Sequence, residues 1–69
     1  MISIQQMNYI VVLSEELLFQ RASERCFVTQ PTLSMQIKKA EETLGYAIFD
    51  RDSNPLQLTP SGQQLIPIL

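Results

Sequence analysis

The stretch VTQPTLSMQIKKAEETLG, Val28 to Gly45, decides how the rest of this chain is read. It opens on a helix start: the Thr29 hydroxyl can accept a backbone N–H as the cap, and Pro31 falls in the first turn, where a missing N–H costs nothing. It closes on Gly45, the residue favoured just past the last turn of a helix. Between these ends Leu33, Ile37, Ala40 and Leu44 recur at helical spacing and form one apolar face. The other side carries Thr32, Met35, Lys38 and Lys39, with Ser34 and Gln36 on its flanks. A helix apolar behind, with small polar groups and lysines in front, suits insertion into a nucleic-acid groove. The helix is expected over about residues 29–44.

The segments on either side fit such a helix. Upstream, Ser3 with Gln6 makes a capping-box pattern, and Ile4, Met7, Ile10, Val11 and Leu17 then follow helical spacing, leaving Glu15 and Glu16 to solvent. The apolar Leu17-Leu18-Phe19 is expected to tuck into the core. A second, short helix is expected from about Gln20 to Cys26, with Ala22, Ser23 and Cys26 facing inward and Arg21, Glu24 and Arg25 outward. Phe27 and Val28 connect it to the long helix. Two helices joined by so short a link, the second polar at its leading end, have helix-turn-helix geometry, although the glycine often found in that turn is missing.

Downstream the rhythm changes. Tyr46 to Phe49 and Leu56 to Leu58 are short apolar-rich runs separated by Asp50-Arg51-Asp52-Ser53-Asn54-Pro55, the composition of a β-hairpin. Thr59-Pro60-Ser61-Gly62 is another helix start. The uncharged, increasingly apolar residues after it are expected to pack on a partner, with Pro67 kinking the helix or limiting its hydrogen bonding. The fold class expected is therefore mainly α: a winged helix-turn-helix over residues 1–59 with three helices and a short hairpin wing, and the start of a linker helix over residues 60–69.

Composition limits the functions open to such a chain. Its 69 residues make one small domain with a marginal core, for which a second copy or a further segment is a natural support. One cysteine and no histidine leave no internal disulfide and no metal cluster, and no cofactor is expected. The longest apolar run, Ile10 to Leu13, is far too short for a membrane span, and no secretion signal opens the chain; a cytoplasmic location is expected. Catalysis finds no support, for there is no glycine-rich phosphate loop and no evident carboxylate pair. The net charge of −2 is unusual for a nucleic-acid binder. All five cations (Arg21, Arg25, Lys38, Lys39, Arg51) lie in the middle of the chain, while residues 1–14 and 53–69 carry no charge. Weak phosphate binding by one copy, with two needed for useful affinity, follows from that distribution.

The run FQRASERCFVTQPTLSMQIKKAEETLGYAIFDR, followed by LTPSG, closely resembles the N-terminal winged helix-turn-helix of LysR-type transcriptional regulators. Gln30-Pro31, Leu33-Ser34, Gln36-Ile37, Glu41, Leu44-Gly45, Phe49, Arg51 and Leu58-Thr59 all fit, and the likeness covers nearly the whole chain. Within the family, CFVTQPTLSMQIKK is most similar to the hydrogen-peroxide-inducible activators. The resemblance implies sequence-specific binding of double-stranded promoter or operator DNA by a homodimer or higher oligomer. Gln30, Pro31, Thr32, Ser34 and Met35 would face the major groove. Lys38 and Arg51 match positions suited to phosphate, Asn54 and Pro55 sit at the wing tip, and the last helix matches the linker through which members dimerise. A small-molecule or redox effector would act only through a C-terminal domain absent from this sequence. Met35 and Asn54 stand where the family commonly has arginine, and Ala40 where it has leucine. These departures bear on target sequence and affinity rather than on fold.

Each of these residues also has a plainer reading. Cys26 is expected to be a small buried hydrophobe rather than a redox switch. Lys38 and Lys39 could pair with Glu41 and Glu42, and Arg51 with Asp50 or Asp52. Thr29 is read as both cap and phosphate donor. Leu65 to Leu69 could be core rather than a dimer seam, and a winged-helix protein-interaction module is the rival to DNA binding.

Overall fold

The computed structural model describes residues 1–69, and in it the local signals close into one three-helix body with a hairpin at its edge. Helix α1 runs Ile4–Glu16, α2 Phe19–Cys26 and α3 Gln30–Leu44, followed by β1 Phe49–Asp50, β2 Gln57–Leu58, α4 Pro60–Leu65 and a 3₁₀ turn at Ile66–Ile68. The Ser3–Gln6 capping box forms in full, its N–H···O distances being 3.0 and 3.1 Å. The core gathers Tyr9, Ile10, Val12 and Leu13 of α1, Ala22 of α2, Leu33, Ile37 and Ala40 of α3, and Ile48 and Phe49 of the loop entering the hairpin.

Helix α1 buries Ile10, as its spacing predicts, but its core face is centred away from Ile4. Ile4 and Leu13 lie about two and a half helical turns apart, on opposite sides of α1. Leu13 is fully buried, Val11 is half-buried and Ile4 is 84% exposed. Because α1 carries apolar residues nearly all round, periodicity could not choose the face. The packing of α2 and α3 chooses it. Glu15 and Glu16 also differ from expectation, for both hold the Arg25 guanidinium at 2.8 and 3.0 Å, joining α1 to α2. Of Leu17-Leu18-Phe19, Leu17 and Phe19 pack against the core, whereas Leu18 is half exposed.

The hairpin is shorter than its apolar runs. Phe49 pairs with Leu58 and Asp50 with Gln57, antiparallel, while Tyr46 and Ala47 stay exposed outside the ladder. The Asp50 carboxylate builds the turn, accepting from the Asp52 N–H at 3.1 Å and from the Ser53 hydroxyl at 3.3 Å.

Thr59 then ties the last helix down. Its Oγ1 accepts from the Gly62 N–H at 3.0 Å as the cap and donates to the Ala47 carbonyl at 2.6 Å, and its N–H donates to the Ile48 carbonyl at 2.9 Å. Gly62 is buried against that Ile48 carbonyl. Pro67 lacks the N–H that would continue α4, and the chain tightens into the 3₁₀ turn there. Leu65 and Ile66 pack on the core, so the expectation of a partner-facing run from Leu65 to Leu69 is corrected for these two; Pro67, Ile68 and Leu69 are exposed, Ile68 at 80%.

Candidate nucleic-acid interface

The site is built on the N-terminal half of α3. Thr29 caps it, accepting from the Thr32 N–H at 3.3 Å and donating to the Thr32 hydroxyl at 2.9 Å. Leu33, Ile37 and Ala40 anchor the helix from behind against α1 and α2. A further tie, from Gln6 Nε2 to Gln36 Oε1 at 3.1 Å, fixes its rotation on α1. These anchors leave Thr29, Gln30, Pro31, Met35 and Lys38 exposed, with Thr32 and Ser34 half-buried beside them. Gln30, Ser34 and Lys38 make no side-chain hydrogen bond or ion pair within the chain. Met35 is 47% exposed and contributes nothing to the core.

The first turn of α3 adjoins the first residue of α2. Phe19, Gln30, Pro31 and Ser34 together line a shallow depression of about 440 Å³. The N-cap of α2 is Leu18, which has no capping side chain, so the leading N–H groups of this helix are not satisfied by a side-chain cap. Backbone donors and a positive helix end beside Gln30 and Ser34 are suited to an anionic oxygen such as a phosphate's.

Charge is distributed by pairing rather than by number. Arg25 is held by Glu15 and Glu16, whose hydrogen bonds raise its pKa further, and Arg51 is held by Glu41. Lys38 and Lys39 form no ion pair with Glu41 or Glu42, and with Arg21 they are the cations left open. A chain of net charge −2 therefore still presents free positive charge on the α3 surface.

Arg51 differs most from its sequence reading. It pairs with neither Asp50 nor Asp52; its Nη1 lies 2.8 Å from Glu41 Oε1, and its guanidinium sits 5.8 Å from the Phe19 ring centroid. Nη1 is committed to Glu41, and the side chain, 36% exposed, makes no other hydrogen bond within the chain. Asn54 and Pro55 are exposed at the wing tip.

Glu41 is the residue that sequence reasoning missed. Among the positions that fit the family it has no role assigned from sequence, and the pairing with lysine that its neighbours allow is not formed: it is 8% exposed, and its Oε2 accepts from the Ile48 and Phe49 N–H groups at 2.7 and 3.3 Å. It joins α3, the hairpin and Arg51 in one network, so the wing is held at a fixed place relative to the exposed face of α3. The signal was present in the spacing, because Leu33, Ile37 and Glu41 follow one another at four-residue intervals along the buried stripe.

Cys26 is half-buried, and burial pushes its thiol up while Arg25 opposes the shift. Its thiolate population at neutral pH is thereby reduced. Alkylation by iodoacetamide should be slower than for cysteine in a short peptide at pH 7, and should keep accelerating above the pH at which the peptide's rate levels off. Equal rates and profiles would contradict this.

Three helices, a short hairpin and an open third-helix face define a winged helix-turn-helix. Comparison with known proteins carries the assignment further. Residues 4–63 match the family described as bacterial regulatory helix-turn-helix protein, lysR family, and the chain belongs to that family. It is 45% identical over 64 residues to the HTH-type transcriptional regulator EstR of Acinetobacter baylyi, covering 93% of this chain and 21% of that protein. It is 44% identical over the same share of each chain to the hydrogen peroxide-inducible genes activator of Haemophilus influenzae. The chain thus spans about one-fifth of the length of these relatives. Among solved structures it is similar to Vibrio fischeri DarR in complex with DNA (TM-score 0.95, 34% identity, 99% of this chain and 23% of that one). It is also similar to the BenM DNA-binding domain in complex with catB site 1 DNA (TM-score 0.92, 33% identity, 96% and 71%). A peroxide-inducible activator and EstR match at nearly the same identity, so this segment is common ground between branches of the family.

Proposed function

We propose that this chain is the sequence-reading domain of a LysR-family transcriptional regulator, binding double-stranded DNA with α3 in the major groove. The observation that carries the reading is the face of α3 on which Gln30, Met35 and Lys38 stand exposed beside a half-buried Ser34, none of the four held by a side-chain bond, on a helix fixed against α1 and α2. In this reading Gln30, Thr32 and Ser34 meet base edges, and Met35 and Pro31 supply apolar contact. Thr29, Lys38 and the partly exposed Arg51 meet phosphates, and Asn54 and Pro55 bring the wing to the flanking backbone. DarR and the BenM DNA-binding domain, which this chain resembles, are each seen in complex with DNA, which supports duplex binding. No helix is long and apolar enough to cross a membrane, which fits a regulator acting on DNA in the cytoplasm. Catalysis has no part in this reading.

With few open cations, one copy binds weakly, and a second copy joined through the segment after Thr59 raises the affinity. Any response to an effector belongs to a C-terminal domain outside this sequence.

The test is Gln30→Ala. A glutamine amide meeting an adenine edge contributes about 1–3 kcal/mol of discrimination, so cognate affinity should fall roughly tenfold to a hundredfold. Affinity for a random duplex should change much less. Equal losses on both duplexes would remove Gln30 from base reading, and no duplex binding at low salt would favour a protein-interaction module instead.

A further inference from the structure

Three helices of this chain end on a residue in the left-handed region: α1 on Leu17 (φ 54°), α2 on Phe27 (φ 58°) and α3 on Gly45 (φ 84°). Gly45 adopts that conformation without a Cβ clash. Leu17 bears the clash and is compensated, because it packs against the core. Phe27 bears it with no such return. Its backbone closes α2, the Phe27 N–H donating to the Glu24 carbonyl at 3.2 Å and the Val28 N–H to the Ser23 carbonyl at 3.0 Å. Its side chain is 94% exposed and touches no part of the core. A glycine or asparagine would serve that turn better, and a polar side chain would suit the solvent better. Neither local backbone preference nor packing accounts for a phenylalanine here.

Its place in the chain does offer an account. Phe27 stands two residues before the Thr29 cap and three before Gln30. Three residues span at most about 11 Å, comparable to the roughly 12 Å width of the major groove. A duplex touched by Gln30 therefore brings its groove edge within reach of the ring. The apolar groups available there are thymine 5-methyl groups and deoxyribose carbons.

We propose that Phe27 is a further duplex-contacting residue, packing its ring on the apolar edge of the groove beside the base pairs that α3 reads. The inference rests on the DNA-binding reading. It assigns to the helix-turn-helix link a share of recognition that is neither ionic nor hydrogen-bonded.

The probe is a duplex selected by the wild-type chain from a randomised pool, together with the same duplex carrying deoxyuridine for thymidine. Phe27→Gly should raise Tm by roughly 4 °C, since glycine relieves the left-handed strain. It should also weaken binding roughly tenfold and leave the salt dependence unchanged, because no phosphate contact is lost. A gain in stability with a loss in affinity is not produced by a purely structural role. Phe27→Asn, also tolerant of the left-handed region, should lose affinity in the same way and guards against an idiosyncratic effect of glycine. If deoxyuridine weakens wild-type binding but not that of Phe27→Gly, the ring meets thymine methyls; if it affects neither, the ring meets deoxyribose. Both variants binding as tightly as wild type would overturn the proposal. Failure of the wild-type chain to select any duplex would instead overturn the DNA-binding reading beneath it, and would be seen before any variant is made.

Discussion

Glu41→Ala should destabilise the fold by about 3 kcal/mol and lower Tm by roughly 15 °C. The carboxylate is nearly buried and satisfies three donors: the Ile48 and Phe49 N–H groups and the Arg51 guanidinium. Alanine removes all three acceptor contacts at once. It leaves two backbone donors without a partner and a cation beside the Phe19 ring without its counter-charge, and such orphaned groups incur their full desolvation penalty. Glu41→Gln keeps the shape and one acceptor oxygen, so it should lose less, about half as much. Thermal unfolding followed by circular dichroism measures both. A Glu41→Ala protein with wild-type Tm would show that the network linking α3 to the wing contributes no net stability.

Gly62→Ala should be nearly as damaging, by about 2–4 kcal/mol, even though alanine is the better helix former. A Cβ at that position would collide with the Ile48 carbonyl oxygen and crowd the Ile48 side chain. The obstacle is backbone, and that backbone is held by the Thr59 N–H and by the two Glu41-bound amides beside it. Relief therefore requires α4 to move off the body. At the neighbouring exposed position, Gln63→Ala should change stability by less than about 0.5 kcal/mol. If Gly62→Ala proved equally neutral in thermal unfolding, the close packing of α4 on the hairpin entry would be wrong.

These two positions also mark how far the sequence could be read. Helix ends were legible because capping is local: Ser3, Thr29 and Thr59 each bond an N–H three residues ahead, and each start fell within one residue of expectation. The buried face of α3 was legible because its apolar residues occupy a single side. That of α1 was legible only in part: Ile10 is buried as its spacing predicts, but Ile4, Met7 and Val11 compete with Tyr9, Val12 and Leu13, and only the neighbouring helices decide between them. Charged partners were the least legible. Arg51 neighbours two aspartates in sequence yet pairs with Glu41, ten residues away, since the hairpin folds back over the end of α3. Residue type suggests a solvent-facing Glu41, whereas its position four residues after Ile37 places it on the buried stripe.

The candidate interface divides along the same line. The residues on α3 needed only helical geometry, and the structure finds Gln30, Pro31, Met35 and Lys38 exposed. Arg51 depended on tertiary contacts and is shared between the core network and the surface. In sequence Phe27 is only a connection between two helices; its left-handed backbone and bare ring follow from how α2 ends.

A duplex should dock on the leading half of α3 and on nothing else of comparable extent. Backbone amide shifts recorded by NMR during titration with a selected duplex at low salt test it most directly. The largest changes should fall on Thr29 to Lys38, with smaller ones around Arg51 to Pro55 and at the start of α2. Changes concentrated instead on the outer side of α1 around Ile4 and Val11, or on Ile68 and Leu69, with α3 unmoved, would contradict it.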